Sequence, residues 1–273
     1  MIKYSIFDPA GNITALVESN VEIRRQPEVA DEIMKAHPEV EQVGFVYFDP
    51  IRPAPTYLRM AGGEFCGNAT LSAAALYLLR YKEETDKVRV RVTGVSRSLE
   101  VRIKKREDDD SSFDAGVEMP KSLDIEKEKL SWGGTTDTVP AVMMEGITHV
   151  IIKSESSLYS LKDDKKAAEA AVRDWCMKLG AECLGIMFLE ESEDDMKLTP
   201  LVYVPGADTI FWEKSCASGS AAVGMYLARE SETAVDITLK EPGGDLRVES
   251  NPQSGETRLY GSTKLVSTEN LPE

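Results

Sequence analysis

Two segments of this chain place a cysteine directly before an almost wholly apolar stretch of helical length. The first spans residues 64–79 and contains Cys66, and the second spans residues 213–228 and contains Cys216. A helix that is apolar on all sides has to be buried on all sides. We therefore expect the short strands around each segment to wrap one central helix.

The elements around the two segments recur in the same order, which indicates a duplicated half. Before each cysteine come a strand, an amphipathic helix and a β-branched strand, and after each apolar helix come two strands separated by a glycine turn. In the first half these elements are expected at 13–17, 27–36, 43–48, 88–92 and 98–103, and in the second at 148–152, 165–179, 184–189, 235–239 and 246–248.

This order predicts an α+β fold of two pseudo-symmetric halves. Each half is expected to be a curved antiparallel sheet or barrel around its apolar helix, since alternating strands joined by glycine turns are typical of antiparallel hairpins. We expect the first half to comprise residues 1–118, with residues 264–273 returning to it, and the second to comprise residues 119–263.

The charge balance restricts the partners. With 32 basic and 47 acidic residues the chain carries a formal net charge of -15, which disfavours nucleic acid and anionic membrane surfaces. Neither a secretory signal nor a membrane-spanning stretch is evident, so we expect a cytoplasmic protein whose four cysteines are reduced. No Cys-x-x-Cys pair occurs and only two histidines are present, which argues against a metal site.

A cysteine at the first turn of a helix has two chemical consequences. The unpaired N–H groups there bind carboxylate or phosphate, and the same positive environment lowers the pKa of a thiol. Gly67 and Gly219 would let a ligand approach the backbone closely. In the alternative interpretation Asn68 and Ser218 are ordinary helix caps, and each cysteine is a small buried filler.

Two such thiols suit the inversion of a stereocentre. This reaction needs a base on one face of a carbon and an acid on the other, and a thiolate and a thiol can serve as that pair. We therefore expect Cys66 and Cys216 to meet in a cleft between the halves, where the helix starts hold the substrate carboxylate and stabilise the charge that develops on it.

The same residues resemble a known superfamily. The segments 66–69 and 215–220, with Pro9-Ala10-Gly11-Asn12 and Pro242-Gly243-Gly244, are similar to the cofactor-independent diaminopimelate epimerases and proline racemases. This resemblance implies two barrel-like halves, acid/base roles for Cys66 and Cys216, an amino-acid substrate, and neither cofactor nor metal. It also suggests a homodimer, since members are often dimers. The phenazine-biosynthesis branch lacks the cysteine pair and matches less well.

Within the superfamily, segments 41–45, 64–70 and 212–216 look most like the histidine racemases of staphylopine-type metallophore pathways. Diaminopimelate epimerases have an arginine where this chain has Lys214, and an asparagine in the strand where it has residues 185–188. We therefore expect conversion of L-histidine to D-histidine. The alternatives are a diaminopimelate epimerase or another racemase of this fold, a non-catalytic small-molecule binding protein, and a dithiol redox module.

The expected substrate-binding residues lie around the two cysteines and near the strand starts. Glu64 and Glu213 could orient a thiol or bind the substrate ammonium group, although a solvated loop carboxylate is the simpler interpretation. A turn asparagine and a structural histidine are the corresponding alternatives for Asn12 and His149. Cys176 and Cys183 are expected to be structural. The binding set is Asn12, Gln42, Glu64, Gly67, Asn68, His149, Glu213, Ser215, Ala217, Ser218, Gly219 and Ser220.

Overall fold

The structure is a computed structural model that describes residues 1–48, 56–82, 85–192 and 195–271. Residues 272–273 of the expected C-terminal return lie outside the described residues. The chain forms two compact units, Met1–Glu118 with Tyr260–Glu273, and Met119–Leu259. The helices are α1 (Gln26–Ala36), α2 (Gly67–Tyr81), α3 (Lys165–Leu179) and α4 (Ala217–Ser231), with short 3-10 turns at Ile23–Arg25, Tyr159–Asp163 and Pro205–Ala207.

Sixteen strands are described, and the last one begins in the second unit and continues into the first. Those before the unit boundary are β1 (Ile2–Asp8), β2 (Thr14–Val17), β3 (Gln42–Tyr47), β4 (Thr56–Met60), β5 (Lys87–Val92), β6 (Leu99–Lys105) and β7 (Ser112–Glu118). Those after it are β8 (Asp124–Trp132), β9 (Thr135–Met144), β10 (Ile147–Lys153), β11 (Leu184–Glu191), β12 (Met196–Val204), β13 (Thr209–Trp212), β14 (Val235–Glu241), β15 (Gly244–Asn251) and β16 (Glu256–Leu271).

The first unit contains a closed barrel of eight strands. Strands β1 to β7 are neighbours in chain order, β7 pairs with β16, and β16 also pairs with β1. In β5, exposed lysine and arginine residues alternate with buried valines, so one face of the strand meets water and the other meets the core. Helix α2 packs against strands β2 to β7 and is buried from Gly67 to Leu78.

The second unit orders its strands β16, β15, β14, β12, β11, β10, β9 and β8, with β13 paired to β12. Helix α4 packs against β9, β10, β11, β14 and β15. Helix α3 contacts β11 and β12, and its Trp175 is completely buried in that core. Asp164 caps the start of α3 by accepting the Ala167 N–H, and Gly180 ends it in the left-handed conformation at φ 62°.

The expectation of purely antiparallel sheets was wrong. In the first unit β2 pairs parallel with β3, and β4 with β5. In the second unit β10 pairs parallel with β11, and β12 with β14. The reason is the helix inserted between the two strands of each pair, because a crossover carries the chain back to the end from which a parallel neighbour starts. The glycine-turn hairpins β5–β6 and β14–β15 are antiparallel, as predicted.

Candidate active site

Cys66 is the N-cap residue of α2 and is 8% exposed. Its sulfur accepts a hydrogen bond from the Ala69 N–H at 3.4 Å, and its carbonyl oxygen accepts bonds from the N–H and the hydroxyl of Thr70. The alternative interpretation that Asn68 caps this helix was wrong, because the extended backbone of the N-cap belongs to Cys66 (φ -130°, ψ 112°). Gly67 and Asn68 form the buried first turn.

The segment before Cys66 is tied to the turn after β5. The hydroxyl of Thr93 donates to the Glu64 carbonyl and accepts the Met60 N–H, both at 3.0 Å. A Cβ atom on Gly94 would lie 2.5 Å from the Phe65 nitrogen, so only glycine permits this contact. Thr93 and Gly94 therefore position the Cys66 segment. The sequence predicts a turn at Gly94 but does not indicate that either residue contacts this segment.

The Glu64 carboxyl group lies in the same segment and is poorly hydrated. Burial raises the pKa of this carboxyl above its usual range, although the backbone N–H groups of Glu64 and Gly62 and the charge of Arg59 lower it. Its Oε2 atom is buried and has no hydrogen-bond partner among the described residues. A buried oxygen of this kind is suited to a ligand that brings its own donor.

Asn12 and Gln42 lie on adjacent segments of the first unit. Asn12 is completely buried, and its amide donates to Glu41 Oε2 at 2.9 Å. Its Oδ1 atom lacks a partner in the described part of the chain. Gln42 is the first residue of β3 and pairs with Thr14, which follows Asn12 by two residues in the chain.

Cys216 is the N-cap residue of α4 and is 5% exposed. Its backbone angles (φ -129°, ψ 100°) are close to those of Cys66, and Ser218 is therefore not the cap. The sulfur hydrogen-bonds with Glu213 and lies 3.6 Å from the Ser218 hydroxyl. The flanking residues Ser215 and Ala217 are buried.

The expected lowering of the thiol pKa at a helix start is wrong for Cys216. Burial raises the pKa of the Cys216 thiol well above its usual value, and the carboxyl groups of Glu213 and Glu241 raise it further. The hydrogen bond with Ser218 acts in the opposite direction. A helix N-terminus contributes only about 0.3–1 kcal/mol in favour of an anion, so lost hydration and two acidic neighbours outweigh it here.

Glu241 is a site residue that sequence reasoning missed. It is buried at the end of β14, where its Oε2 accepts the Cys216 N–H at 2.7 Å and its Oε1 accepts the Ser220 hydroxyl. Burial raises the pKa of the Glu241 carboxyl well above its usual value, more than these two donors lower it, and nearby Glu213 raises it further. The sequence feature that could have identified Glu241 as a site residue is its position directly before the Pro242-Gly243-Gly244 turn.

His149 is connected to Cys216 through a hydroxyl group. Its Nε2 lies 3.0 Å from the Ser218 hydroxyl, and Ser218 in turn contacts the Cys216 sulfur. Complete burial lowers the pKa of His149 to about 3, so the imidazole is neutral. Its Nδ1 atom has no hydrogen-bond partner among the described residues.

Two glycines leave room for side chains near the contacts that link His149, Ser218 and Cys216. Gly185 lies opposite His149 in the β10–β11 pair, and a Cβ atom on it would lie 2.3 Å from the His149 Nδ1. A Cβ atom on Gly219 would lie 2.1 Å from the Met187 sulfur and 3.2 Å from the Cys216 sulfur. The fully buried Met187 therefore packs beside the start of α4, a contact that the sequence did not indicate.

All four cysteines are buried, and the structure pairs none of them in a disulfide. Cys176 donates its thiol hydrogen to the Ala181 carbonyl at 3.3 Å, at the end of α3. Within the described ranges, no three His, Cys, Asp or Glu side chains gather as metal ligands, and none of the helices has the length and apolar character needed to span a membrane.

Solved structures share the fold of this chain. A hydroxyproline epimerase from Agrobacterium vitis superimposes with a TM-score of 0.67 at 10% identity, covering 98% of this chain and 91% of that one. A phenazine biosynthesis PhzF family protein from Enterococcus faecalis gives 0.63 at 17% identity, covering 100% and 99%. The α+β fold is that of the PhzF and proline-racemase-type epimerases.

The fold and the sequence relatives together define an isomerase, an amino-acid racemase. A histidine racemase from Staphylococcus aureus is 27% identical over 274 residues, covering 98% of this chain and 96% of its own. One from Fusobacterium nucleatum is 32% identical over 237 residues, covering 84% and 82%. The family model described as histidine racemase CntK N-terminal domain matches residues 1–268, and the chain belongs to this family.

Proposed function

We propose that this protein is a cofactor-independent histidine racemase that uses Cys66 and Cys216 as its acid/base pair. The observation that carries the proposal is that each cysteine is the buried N-cap of a 15-residue buried helix, with nearly the same backbone angles in both places. Relatives named as histidine racemases support histidine as the substrate.

We also propose that the two units are counterpart halves of a duplicated structure, each with its buried helix at the centre. The pairing senses support this idea: along β1 to β6 and along β9 to β15, omitting β13, they alternate antiparallel and parallel in the same order. Gly44 and Gly185 occupy equivalent places, opposite Leu16 and His149 respectively.

In the proposed reaction both cysteines act on one α-carbon from opposite faces. The thiolate of one cysteine takes the α-proton, so a C–H bond breaks and an S–H bond forms. The thiol of the other delivers its proton to the opposite face, and its S–H bond breaks as the new C–H bond forms. General acid/base groups of this kind contribute about 10²–10⁴-fold each.

The binding residues would assist this step by binding the charged groups of the substrate. The N–H groups at the starts of α2 and α4, in residues 67–68 and 217–219, would bind the substrate carboxylate and the charge that develops on it. Glu64 or Glu213 would bind the ammonium group, and the buried Asn12 and His149 with the half-buried Gln42 would orient the substrate side chain. Neutral His149 suits an uncharged partner such as a substrate imidazole.

Deuterium incorporation tests the reaction and the number of bases. With L-histidine in heavy water, two single-proton bases place deuterium in the early D-histidine product but not in the unreacted L-histidine. A single shared base would label both enantiomers. Proton NMR with chiral chromatography distinguishes these results.

Serine variants test the roles of the cysteines. Cys66→Ser and Cys216→Ser should each lower the rate of racemisation by about 10²–10⁴-fold. Cys176→Ser is the matched control, since it removes another buried thiol that caps no helix start, and it should remain active.

The outcomes separate the alternatives. Exchange with diaminopimelate but not with histidine would move the protein to another subfamily. If no amino acid exchanges, the racemase proposal fails, and a ligand that still binds both serine variants would favour a binding protein. Reversible oxidation of a Cys66–Cys216 pair as the main activity would favour the redox module.

The homodimer suggested by the family resemblance stays a prediction, which light scattering after size exclusion would check. Because a thiolate and a thiol both have to stay reduced for this chemistry, we also keep the cytoplasm as the proposed location. Localisation of a tagged protein would check it.

A further inference from the structure

We propose that Glu64, rather than Glu213, binds the ammonium group of the substrate, and that the Glu64 carboxyl group releases a proton to solvent when the ammonium group binds. The ligand of Glu64 would be one group of an amino acid, so this role rests on the proposed function. The proton release makes substrate binding depend on pH through a single residue of the first unit.

The two oxygens of the Glu64 carboxyl group differ in their contacts. The N–H groups of Glu64 and Gly62 donate to this carboxyl group. Because Oε2 has no hydrogen-bond partner among the described residues, both donors bind Oε1. Oε2 is buried, although the residue as a whole is half-buried. A buried acceptor without a donor is unfavourable, and a ligand that supplies an N–H group would remove this cost.

The backbone around Glu64 is held in place, so the Oε2 atom has a fixed position. The Met60 carbonyl accepts the Gly63 N–H at 3.0 Å and closes the turn before Glu64. The Thr93 hydroxyl donates to the Glu64 carbonyl at 3.0 Å. A Cβ atom on Gly94 would lie 3.0 Å from the Glu64 carbonyl carbon, so the two backbones are in close contact. Oε2 is therefore a positioned acceptor rather than part of a mobile surface group.

The place of Glu64 in the chain suits an ammonium group. An α-amino acid carries its ammonium and carboxylate groups on the same carbon, so the ammonium acceptor has to lie beside the N–H groups that bind the carboxylate. Glu64 is two residues before Cys66, the N-cap of α2. Glu213 lies three residues before Cys216, but its side chain already hydrogen-bonds with the Cys216 sulfur. An ammonium group on Glu213 would compete with that contact.

The protonation of Glu64 would change when the ammonium group binds. Burial raises the pKa of the Glu64 carboxyl because the charged form loses hydration. An ammonium group brings a hydrogen-bond donor and a positive charge, and both lower the pKa of a carboxyl group. Binding would therefore break the carboxyl O–H bond, pass the proton to solvent and leave a carboxylate paired with the ammonium group.

The charged side chains on the elements around Glu64 do not take the place of an ammonium group. Arg59 on β4 favours the ionised carboxyl group, but burial outweighs its effect. Residues 67–76 of α2 contain no titratable side chain, and the Cys66 thiol carries no positive charge. The charged residues of β4, of the segment before β3 and of the segment after the turn at 93–94 have hydrogen bonds of their own: Arg59 with Gln26, Glu41 with Asn12, and Arg97 with Glu118.

Two ligands that differ in the ammonium group test this role. Histidine carries the group and 3-(imidazol-4-yl)propanoate lacks it, so calorimetric titration with each ligand measures what the group contributes to affinity. DL-histidine is used, because racemisation of an equal mixture gives no net reaction. The wild type should bind histidine at least about 10-fold more tightly than the propanoate. In Glu64→Gln this preference should fall by about 10-fold or more, because a charge-assisted hydrogen bond is lost.

Two other variants show whether the effect belongs to Glu64. Glu32→Gln removes an exposed acidic group of α1 in the same unit and should leave the preference at the wild-type value. Glu213→Gln removes the other candidate, and the preference for histidine should stay within about threefold of the wild type.

Proton release is measured by repeating the titrations in buffers of different ionisation enthalpy. The wild type should release more protons than Glu64→Gln on binding histidine, by up to one per molecule. The imidazole of histidine titrates alike in both proteins and cancels in this difference. The difference should decline towards high pH, where the Glu64 carboxyl group is already ionised before histidine binds.

Equal affinity of the wild type for both ligands would overturn the role of Glu64. So would a preference for histidine that persists in folded Glu64→Gln, or one that disappears in Glu213→Gln instead. If Glu64→Gln does not fold, Glu64→Asp withdraws the carboxyl group by one methylene, and an unchanged preference in that variant counts equally against the proposal. If histidine is racemised but the preference does not depend on Glu64, only this role fails. If no amino acid binds or exchanges, the proposed function fails and the role of Glu64 fails with it.

Discussion

Cys66 and Cys216 have nearly the same backbone conformation, but one contact of Cys66 is local and one contact of Cys216 comes from a distant strand. The helix start is a local property, which the sequence predicts from a cysteine directly before an apolar stretch, although the only caps it suggested were Asn68 and Ser218. The carboxyl group that binds the Cys216 N–H comes from a residue 25 positions later. No local pattern indicates such a contact, so the expected thiol pKa was wrong for Cys216.

His149 gives the protein a pH-dependent stability. Because its pKa is lowered to about 3 from an ordinary value of 6.5, the folded state favours the neutral ring. The stability from this group is complete above pH 6.5 and is lost as the pH falls from 6.5 towards 3. Between pH 7 and 5 the wild type should lose about 2 kcal/mol more unfolding free energy than His149→Asn.

Urea unfolding at the two pH values measures this difference. His37→Asn is the matched control, since it removes the other histidine of the chain, and the pH-dependent loss should persist in it. Equal losses in the wild type and His149→Asn would contradict the prediction. The groups with raised pKa values, such as Glu64, affect both proteins alike and cancel in the comparison.

Gly185→Ala should destabilise the second unit, because the added methyl group meets the rigid His149 ring. We expect a cost of about 1–3 kcal/mol, typical of an overpacked core. His149→Ser removes the ring, so the double variant should be more stable than the sum of the single changes by about 1 kcal/mol. Additive free energies in a thermal or urea double-mutant cycle would show that the contact is not the cause.

At the level of helices and strands, elements with clear periodicity were predicted well. Helix α3 has the predicted bounds, and α1 begins one residue earlier than predicted. Strand β3 is shifted by one residue, and the strands of the β5–β6 hairpin differ from their predicted ends by one or two residues. The parallel pairs were not predicted. Whether two strands pair parallel or antiparallel depends on where the chain lies after the helical crossover, and the local sequence pattern does not show this. Strand β8 was missed because most of its residues are exposed, although Gly133-Gly134 between β8 and β9 is a hairpin signal.

Substitution of the N-cap cysteine should change the stability of the protein differently at the two buried helices. The Cys66 sulfur accepts the Ala69 N–H, and serine can replace it as a cap whereas alanine cannot. Cys66→Ala should therefore be less stable than Cys66→Ser by about 0.5–1 kcal/mol. The corresponding Cys216 variants should differ less, since that side chain makes no capping bond. Equal serine–alanine differences at both sites in chemical denaturation would refute this distinction.

At the level of the whole molecule, β16 is required by the first unit. Its residues 264–271 pair with β1, and its buried Thr263 hydrogen-bonds with Ser72 of α2. Removal of residues 260–273 should expose the edges of β1 and β7 and destabilise the barrel. Hydrogen exchange should then show lost protection in β1 and α2, with the strands of the second unit less affected.

If the amides of β1 remain protected from hydrogen exchange after this truncation, the stability of the barrel does not depend on its closure by β16. The sequence predicts a C-terminal return to the first half but shows no clear strand pattern there. The alternation in β16 is weak, since half-buried and exposed residues follow one another along much of its length.

The path of β16 also affects how the protein is made. A ribosome synthesises the whole second unit before residues 260–271, which complete the barrel of the first. During translation the first-made part of the chain therefore waits with an open strand edge while the later part can already fold. Because unpaired edges favour association between chains, nascent chains rather than finished molecules are the form of this protein that most needs a chaperone.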